Sequence, residues 1–411
     1  LKFYFPDSQD LVSPTYDFEH DEYPPTRVRQ RDDRYAHEVL DSSPYHGFLV
    51  SKAIVDGSVS GSGKYTSSQR ARLYRMGARR FFRLPDEIAT LGDNGAFNYV
   101  AEEVPPVTVD DTLDFYEECG FDAGVSVDHI IFGYDGTAGL DNADPAWIRR
   151  RELTLELAAD FRRRVEERGS RIEPVGAAQG WSPASYADSV ARLQEFGYTR
   201  VALGGMVPLR TKDVLSCLHE IDKVRHPSTE LHLLGLTRVD AMDEFSQLGV
   251  TSFDSTSPFR QAFMDDRNNF HTPNGAYVAL RVPQVDGNPT LRRAILAGTV
   301  SQQDAIAAER RTLRALRALD GSRVGIDDAL DALGHYETVM GAKKSYLPAY
   351  EQTLVAAPWA DCRCSLCREH GVEIAIFRGT ERNKRRGFHN LTVLASKVSA
   401  LTDRSSSPTY V

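Results

Sequence analysis

Residues 251–260 read TSFDSTSPFR. Val250, Thr251 and Phe253 make a short β-prone lead-in that ends at Asp254, and Ser255, Thr256, Ser257 and Pro258 then break the strand. An aspartate in that position stands on the rim of a sheet, where parallel-sheet α/β folds keep their reacting groups. Most strand-end aspartates only cap a turn or the next helix. This one gains weight from the strand ends that come before it.

Working outward from Asp254, the chain repeats one rhythm. KFYF (2–5) reads as a first strand. Residues 47–55 (GFLVSKAIV) are a buried-strand pattern, and 88–93 end at Asp93 inside TLGDNGAFNY. GVSVD (124–128) places Asp128 the same way. After it comes an amphipathic helix over 147–168, with Leu153, Leu157, Phe161 and Val165 at every fourth residue. Strands at 172–176, 200–203 and 231–236 alternate with helices near 184–196, 212–224 and 239–248. Eight strands separated mostly by helices predict a (β/α)₈ TIM barrel over 1–260. A doubly wound sheet is the alternative, but no G-x-G-x-x-G turn supports it. Beyond Arg260 the rhythm stops. A mainly helical region is expected over 261–355, with helices at 301–319 and from 326, and a zinc-binding subdomain over 356–411, ending in a frayed SSSPTYV tail.

With 411 residues, 41% hydrophobic and 26% charged, the chain has an ordinary globular composition. No apolar run reaches the ~18 residues of a membrane span, and LKFYFPDSQD is no signal peptide. The formal charge of −9 does not advertise a nucleic-acid binder, so clusters of basic groups matter more than the total. Residues 57–69 (GSVSGSGKYTSSQ) approach a phosphate-cradling P-loop and fail it. Ser58 stands where the first glycine belongs, and Tyr65 comes after Lys64, so a mobile loop without nucleotide is expected. Five cysteines, three of them crowded at 362–367, argue for a metal in a reducing cytoplasm rather than for disulfides.

Two constellations carry chemistry. Cys362-x-Cys364-x-x-Cys367 with His389 in GFHNL offers three thiolates and an imidazole. That set suits a tetrahedral, structural Zn²⁺ with no open position for substrate. His370 competes as the fourth ligand, and His389 is expected at the apolar start of a helix. The basic run RGTERNKRRG beside this motif, with Arg385 and Arg386, is a candidate backbone-phosphate contact, as is the segment holding Arg27, Arg29, Arg31 and Arg34. Arg310, Arg314 and Arg317 recur at i, i+4 and i+7, so on one helix they are expected to face the same way. The second constellation is Asp93, Asp128, Gln179, Gly204, Gly205 and Asp254, each at or just past a predicted strand end. In a barrel those ends share one face. Two carboxylates facing a sugar carbon can run a double displacement, one as nucleophile and one handling the proton. Asp128 and Gln179 suit the edge of a heterocycle, and the glycine pair lets backbone approach it.

At these residues the sequence resembles the tRNA-guanine transglycosylases, which exchange a guanine in a nucleic acid for a 7-deazaguanine. TLGDNGAF is similar to their strand-end Asp-x-Gly-Gly-aromatic motif, which implies Asp93 as general acid/base and Phe97 as the ring stacked on the base. SVDH resembles their base-reading aspartate (Asp128), GAAQGW their V-Q-G turn (Gln179) and ALGGM their I-G-G-L (Gly204, Gly205). HLLGL resembles the strand whose side chain packs under the base (Leu234). FDSTSP is similar to their nucleophile motif, implying Asp254 in that role and Arg260 as a neighbouring nucleic-acid contact. The cysteine cluster with His-Asn-Leu resembles their zinc site. Ala96 replaces the family's second glycine and Asn98 its glutamine. The stretch between Asp254 and Cys362 is longer than in the bacterial tRNA enzymes, and no RNA-binding PUA-like stretch comes after the cysteines. KFYFPDSQD, RVRQRDDRYAHEV and SKAIVDG resemble the branch that puts preQ0-like bases into DNA. The resemblance implies base exchange in DNA through a covalent aspartyl–sugar intermediate. The alternatives are exchange in tRNA, or a non-catalytic nucleic-acid-binding subunit. The implied partners are DNA and a 7-deazaguanine base, with a second copy of the chain and a duplex-opening protein as further candidates.

Overall fold

The computed structural model describes residues 1–7, 9–57 and 63–405. Residues 58–62 of the Gly/Ser loop, and all of the SSSPTYV tail after Ser405, lie outside the described residues. The chain forms two compact units, Leu1–Gln9 with Tyr45–Thr256 and Lys397–Val411, and Asp10–Pro44 with Ser257–Ser396.

The first unit is a barrel. Its strands are β1 (Lys2–Pro6), β2 (Gly47–Ser51), β3 (Ala89–Asp93), β4 (Ala123–Val125), β5 (Glu173–Ala178), β6 (Arg200–Leu203), β7 (Glu230–Leu233) and β8 (Val250–Asp254). Each pairs in parallel with the next, and β8 returns to pair with β1, with Tyr4 opposite Asp254. The closed eight-stranded barrel expected from the alternation is therefore present. Branched and small side chains (Leu49, Leu91, Val125, Val175, Ala177, Ala202) fill its interior together with Tyr4. Gly92 and Gly124 are glycines because a Cβ on either would lie 2.3 Å from the ring of Tyr116, on the helix Val109–Cys119.

Two local features depart from a plain alternation. The strand expected over 47–55 stops at Ser51, and Lys52–Asp56 turns into a short helix. Between β7 and β8 the register slips, so that Leu231 faces Val250 while His232 faces Ser252. Thr251 is the extra residue, a bulge in the strand that carries Asp254. The long helix Pro145–Glu167 forms as expected, but of the expected stripe only Phe161 and Val165 are buried, together with Thr154, Leu155 and Ala158, while Leu153 and Leu157 are half-buried.

The second unit departs from the expected division. Residues 10–44 belong to it rather than to the barrel, 257–396 is a single body rather than two, and the end of the last helix from Lys397 belongs with the barrel. It holds the helices Ser257–Met264, Pro289–Leu296, Gln302–Asp320, Ile326–Val339, Leu347–Ala356 and Ser365–His370, and most of Gly379–Ser405. Phe270–Thr272 pairs antiparallel with Gly275–Tyr277, and Leu280–Arg281 pairs parallel with Ile376–Phe377.

Buried charge ties residues 10–44 to the last helix. Asp21 accepts from Arg378 Nε at 2.6 Å and from Arg382, while Glu373 accepts from Arg382 Nε at 2.7 Å and Arg317 Nε at 2.6 Å. Glu381 accepts from the Ser13 amide and the Tyr23 hydroxyl, both at 3.0 Å, and pairs with Arg385. The phosphate-contact expectation for Arg385 and Arg386 is corrected by this arrangement. Both are buried, Arg385 donating to Ser13 O at 2.6 Å and Arg386 to the carbonyls of Ile374 and Ile376 at 3.3 and 3.0 Å. Arg317 likewise turns to Glu373 and to Phe18 O at 2.7 Å, away from the exposed Arg310 and Arg314. In the opening segment, Arg27 holds Asp33 at 2.7 and 2.8 Å and Arg31 holds Asp32 at 2.7 Å. Among the described residues no helix is long and apolar enough to cross a membrane.

Asp21→Ala removes the carboxylate shared by two buried guanidiniums. It is expected to cost about 3–5 kcal/mol of unfolding free energy, read as a lowered midpoint in urea. An unchanged midpoint would show that the network adds no stability.

Candidate active site and metal centre

The barrel rim is built from residues at the C-terminal end of each strand or just past it. Asp93 ends β3 and Asp254 ends β8. Gln179, Gly204 and Leu234 come immediately after β5, β6 and β7, and Asp128 lies just beyond β4. The predicted rim residues therefore do come together on the C-terminal face of one barrel.

Asp128 is buried, and both its oxygens are engaged. Asn94 Nδ2 donates to Oδ1 at 2.9 Å and Gln179 Nε2 donates to Oδ2 at 2.6 Å. Tyr99 donates to Asn94 Oδ1 and also reaches the Asp128 carbonyl at 3.0 Å. Burial raises the pKa of Asp128, and the two amide donors oppose that rise. Gln179 Oε1 accepts from the Ile131 amide at 3.2 Å, which fixes the orientation of its amide. The glycine pair packs on this network. A Cβ on Gly204 would sit 2.1 Å from Gln179 Nε2. Gly205, at φ +74°, would place one 2.4 Å from Ile131 O. Leu234 packs partly buried against the barrel core.

Asp93 differs in kind. Burial, then the charges of Asp128 and Asp254, push its pKa up to about 7, while the Gly95 amide and the Ser51 hydroxyl pull the other way. The influence of Asp128 and Asp254 on Asp93 marks the three carboxylates as one cluster. Gly95 makes the turn beside it at φ +88°, where a Cβ would meet Ser51 Oγ at 2.4 Å. Phe97, in the 3₁₀ turn Ala96–Tyr99, is 71% exposed, an unusual state for a phenyl ring. Its neighbour Phe132, 40% exposed, lies 6.0 Å away edge-on and carries no sequence signal.

Asp254 is nearly buried, and its Oδ1 accepts from the Gly235 amide at 3.0 Å. The same oxygen lies 3.2 Å from Nε2 of His232, a residue that nothing in the pattern LHLLGL singles out. Asn94 and Tyr99 are equally silent in the sequence. Each is a polar residue beside a recognised one, and only the fold reveals that its side chain points inward.

In the second unit, Cys362, Cys364, Cys367 and His389 present ligand atoms all within 4.8 Å of one another. The three sulfurs lie 3.4, 3.6 and 3.4 Å from His389 Nδ1, and Nε2 donates to His271 O at 2.8 Å. That hydrogen bond leaves Nδ1 as the ligating nitrogen. The donor set fits a metal ion. His370 is not part of it and instead packs on Phe18 at 4.9 Å between ring centroids. His389 sits well inside the helix Gly379–Ser405 rather than at its start. Arg260, on the helix Ser257–Met264, is exposed.

The raised pKa of Asp93 has a stability consequence with a definite sign. Between pH about 4 and about 7 the unfolded chain releases a proton that the folded chain keeps, so stability falls as pH rises and the loss is complete above pH 7. Asp93→Asn removes that cost. It is expected to raise stability by roughly 1–3 kcal/mol at pH 8 and not at pH 4, measured by denaturant unfolding at both values. An equal effect at the two pH values would contradict the assignment.

No protein-family model matches the chain. A curated relative, the DNA-guanine transglycosylase of Salmonella montevideo, is 46% identical over 404 residues, which cover 97% of this chain and 96% of the relative. The match spans nearly the whole of both chains, and the chain belongs to the tRNA-guanine transglycosylase family, in its DNA-modifying branch.

Proposed function

We propose that the chain is a pentosyltransferase that replaces guanine in DNA by a 7-deazaguanine of the preQ0 type, through a covalent aspartyl–sugar ester. The observation that carries the reading is the pairing at one rim of two carboxylates in unlike surroundings. Asp93 is half protonated near pH 7, and Asp254 is held by hydrogen-bond donors on one oxygen. Such a pair suits an acid/base and a nucleophile. The activity for which the relative is named supports DNA as the polymer.

In this reading the target nucleotide leaves the base stack, because a duplex buries the glycosidic bond. A carboxylate oxygen of Asp254 bonds to C1′ as the C1′–N9 bond breaks, and Asp93 gives its proton to N9 of the departing guanine. Asp93, now a carboxylate, takes the N9 proton of the incoming base. The freed lone pair on N9 attacks C1′, and the ester electrons return to Asp254. Protons and electrons balance without ATP. Asp128 and Gln179 read the polar edge of the base, the Gly204–Gly205 backbone lies against it, Leu234 supports it from below, and Phe97 stacks on its face. Exposed Arg260, Arg310 and Arg314 are the remaining phosphate contacts of the expected set.

Cys362, Cys364, Cys367 and His389 would hold a structural Zn²⁺, which when bound supplies a cross-link between the start of the short helix Ser365–His370 and the last helix. The five cysteines are not in disulfides, which supports the reading of a reducing cytoplasm.

The deciding experiment is exchange of labelled guanine on matched single-stranded DNA, duplex DNA and tRNA. Asp254→Asn is expected to lose exchange by at least ~10³-fold and to form no covalent enzyme–DNA species on a denaturing gel. Exchange into tRNA alone would overturn the choice of DNA, and an adduct that survives in Asp254→Asn would move the nucleophile elsewhere. For the metal, Cys364→Ser is expected to lose bound zinc, measured by elemental analysis, together with about 3 kcal/mol or more of stability. A zinc-free variant with wild-type stability would remove the structural role.

A further inference from the structure

Asp254 is gripped on one side only. Among the described residues both donors to its carboxylate, the Gly235 amide at 3.0 Å and the His232 imidazole at 3.2 Å, go to Oδ1. His232 is completely buried, and its other nitrogen, Nδ1, lies 2.8 Å from Ser252 Oγ. Tyr4 meets the imidazole edge-on at 5.6 Å between centroids, and the Tyr4 hydroxyl accepts from Arg200 at 3.2 Å. Burial lowers the pKa of His232 and outweighs the upward pull of its contact with Asp254, which favours the neutral ring. A neutral ring beside a carboxylate must present Nε2–H to it, which leaves Nδ1 to accept the Ser252 hydroxyl proton. The three residues thus form a Ser–His–Asp row in which the serine is buried and the aspartate is the reacting end.

The row depends on the irregularity in β8. Thr251 is the extra residue that brings Ser252 opposite His232. With an unbroken register Thr251 would face His232 instead. Bulges beside active sites re-aim side chains in this way.

We propose that His232 is the positioning residue of the nucleophile: its N–H, with that of Gly235, fixes Asp254 Oδ1, so that Oδ2 is the oxygen that bonds to C1′. This rests on the reading of Asp254 as nucleophile. When the ester forms, Oδ2 gives an electron pair to C1′ as the C1′–N9 bond breaks. When it resolves, the pair returns to the carboxylate, where the two N–H donors stabilise the recovered charge. His232 stays neutral throughout and neither gains nor loses a proton.

The test compares His232→Phe and His232→Gln with wild type and Asp254→Asn, in the full chain with zinc bound, on single-stranded DNA. Phenylalanine keeps the ring volume without a donor, and the glutamine amide returns an N–H near the position of Nε2. The expected result is a kcat about 100-fold lower in His232→Phe at unchanged KM for the base, with most of the loss restored in His232→Gln. Wild-type kcat in a folded His232→Phe, or a loss confined to KM, overturns the proposal, as does a glutamine variant as slow as the phenylalanine one. Should His232→Phe not fold, ¹⁵N NMR of histidine-labelled wild-type protein decides. A neutral Nε2–H tautomer at pH 7 supports the proposal, and an Nδ1–H tautomer or an imidazolium overturns it. Activity remaining in Asp254→Asn would instead remove the underlying reading of the reaction.

Discussion

The pairing of β8 with β1 is the constraint on which the site depends. Until that edge closes, Asp254 is the end of an open sheet, with exposed backbone donors beside it. Once it closes, Tyr4 stands opposite Asp254, and the ends of β3 and β8 are held around one rim. Asp93 is then buried beside Asp128 and Asp254, and its pKa rises, first through that burial and then through the two charges. Three carboxylates crowded in low-dielectric surroundings cannot all ionise freely.

The barrel resolves this crowding by giving each aspartate a different set of partners. Asp128 has an amide donor on each oxygen. Asp254 has two donors on one oxygen. Asp93 has the Gly95 amide and the Ser51 hydroxyl set against its burial and two neighbouring charges, which together raise its pKa. In the proposed reaction one residue type thereby supplies a recognition group, a nucleophile and a proton carrier, and the distinction lies in their surroundings rather than in the carboxylates. The glycines at 95, 204 and 205 belong to the same design, since side chains there would displace Ser51, Gln179 or the Ile131 carbonyl.

The barrel was legible because strand–helix alternation is a local pattern, and each of Asp93, Gln179, Gly204 and Asp254 sits within one residue of a strand end. The cysteine spacing was legible for a similar reason, since Cys362, Cys364 and Cys367 are close in sequence. What the sequence could not yield is long-range. Arg385 and Arg386 read as a basic patch because their acceptors, Ser13 O and the carbonyls of Ile374 and Ile376, are backbone atoms that no composition reveals. Arg317 shares a helical spacing with Arg310 and Arg314, yet Glu373 and the Phe18 carbonyl draw it aside. His232 is invisible for a third reason: its partner Ser252 stands opposite it only because of a one-residue slip in β8.

The wiring of residues 10–44 also governs how this chain comes off the ribosome. Asp21 finds Arg378 and Arg382 across separations of 357 and 361 residues, and Ser13 finds Glu381 across 368. An early segment whose carboxylates are satisfied only by the last helix has no native partners while the barrel strands between are being made. Such non-local contacts are formed late and slowly, and they leave intermediates exposed to aggregation. Fragments ending before residue 378 would strand Asp21 without either arginine. A boundary drawn at 260 to isolate the barrel would carry residues 10–44 with it and leave their partners behind, so a workable excision has to remove that segment as well.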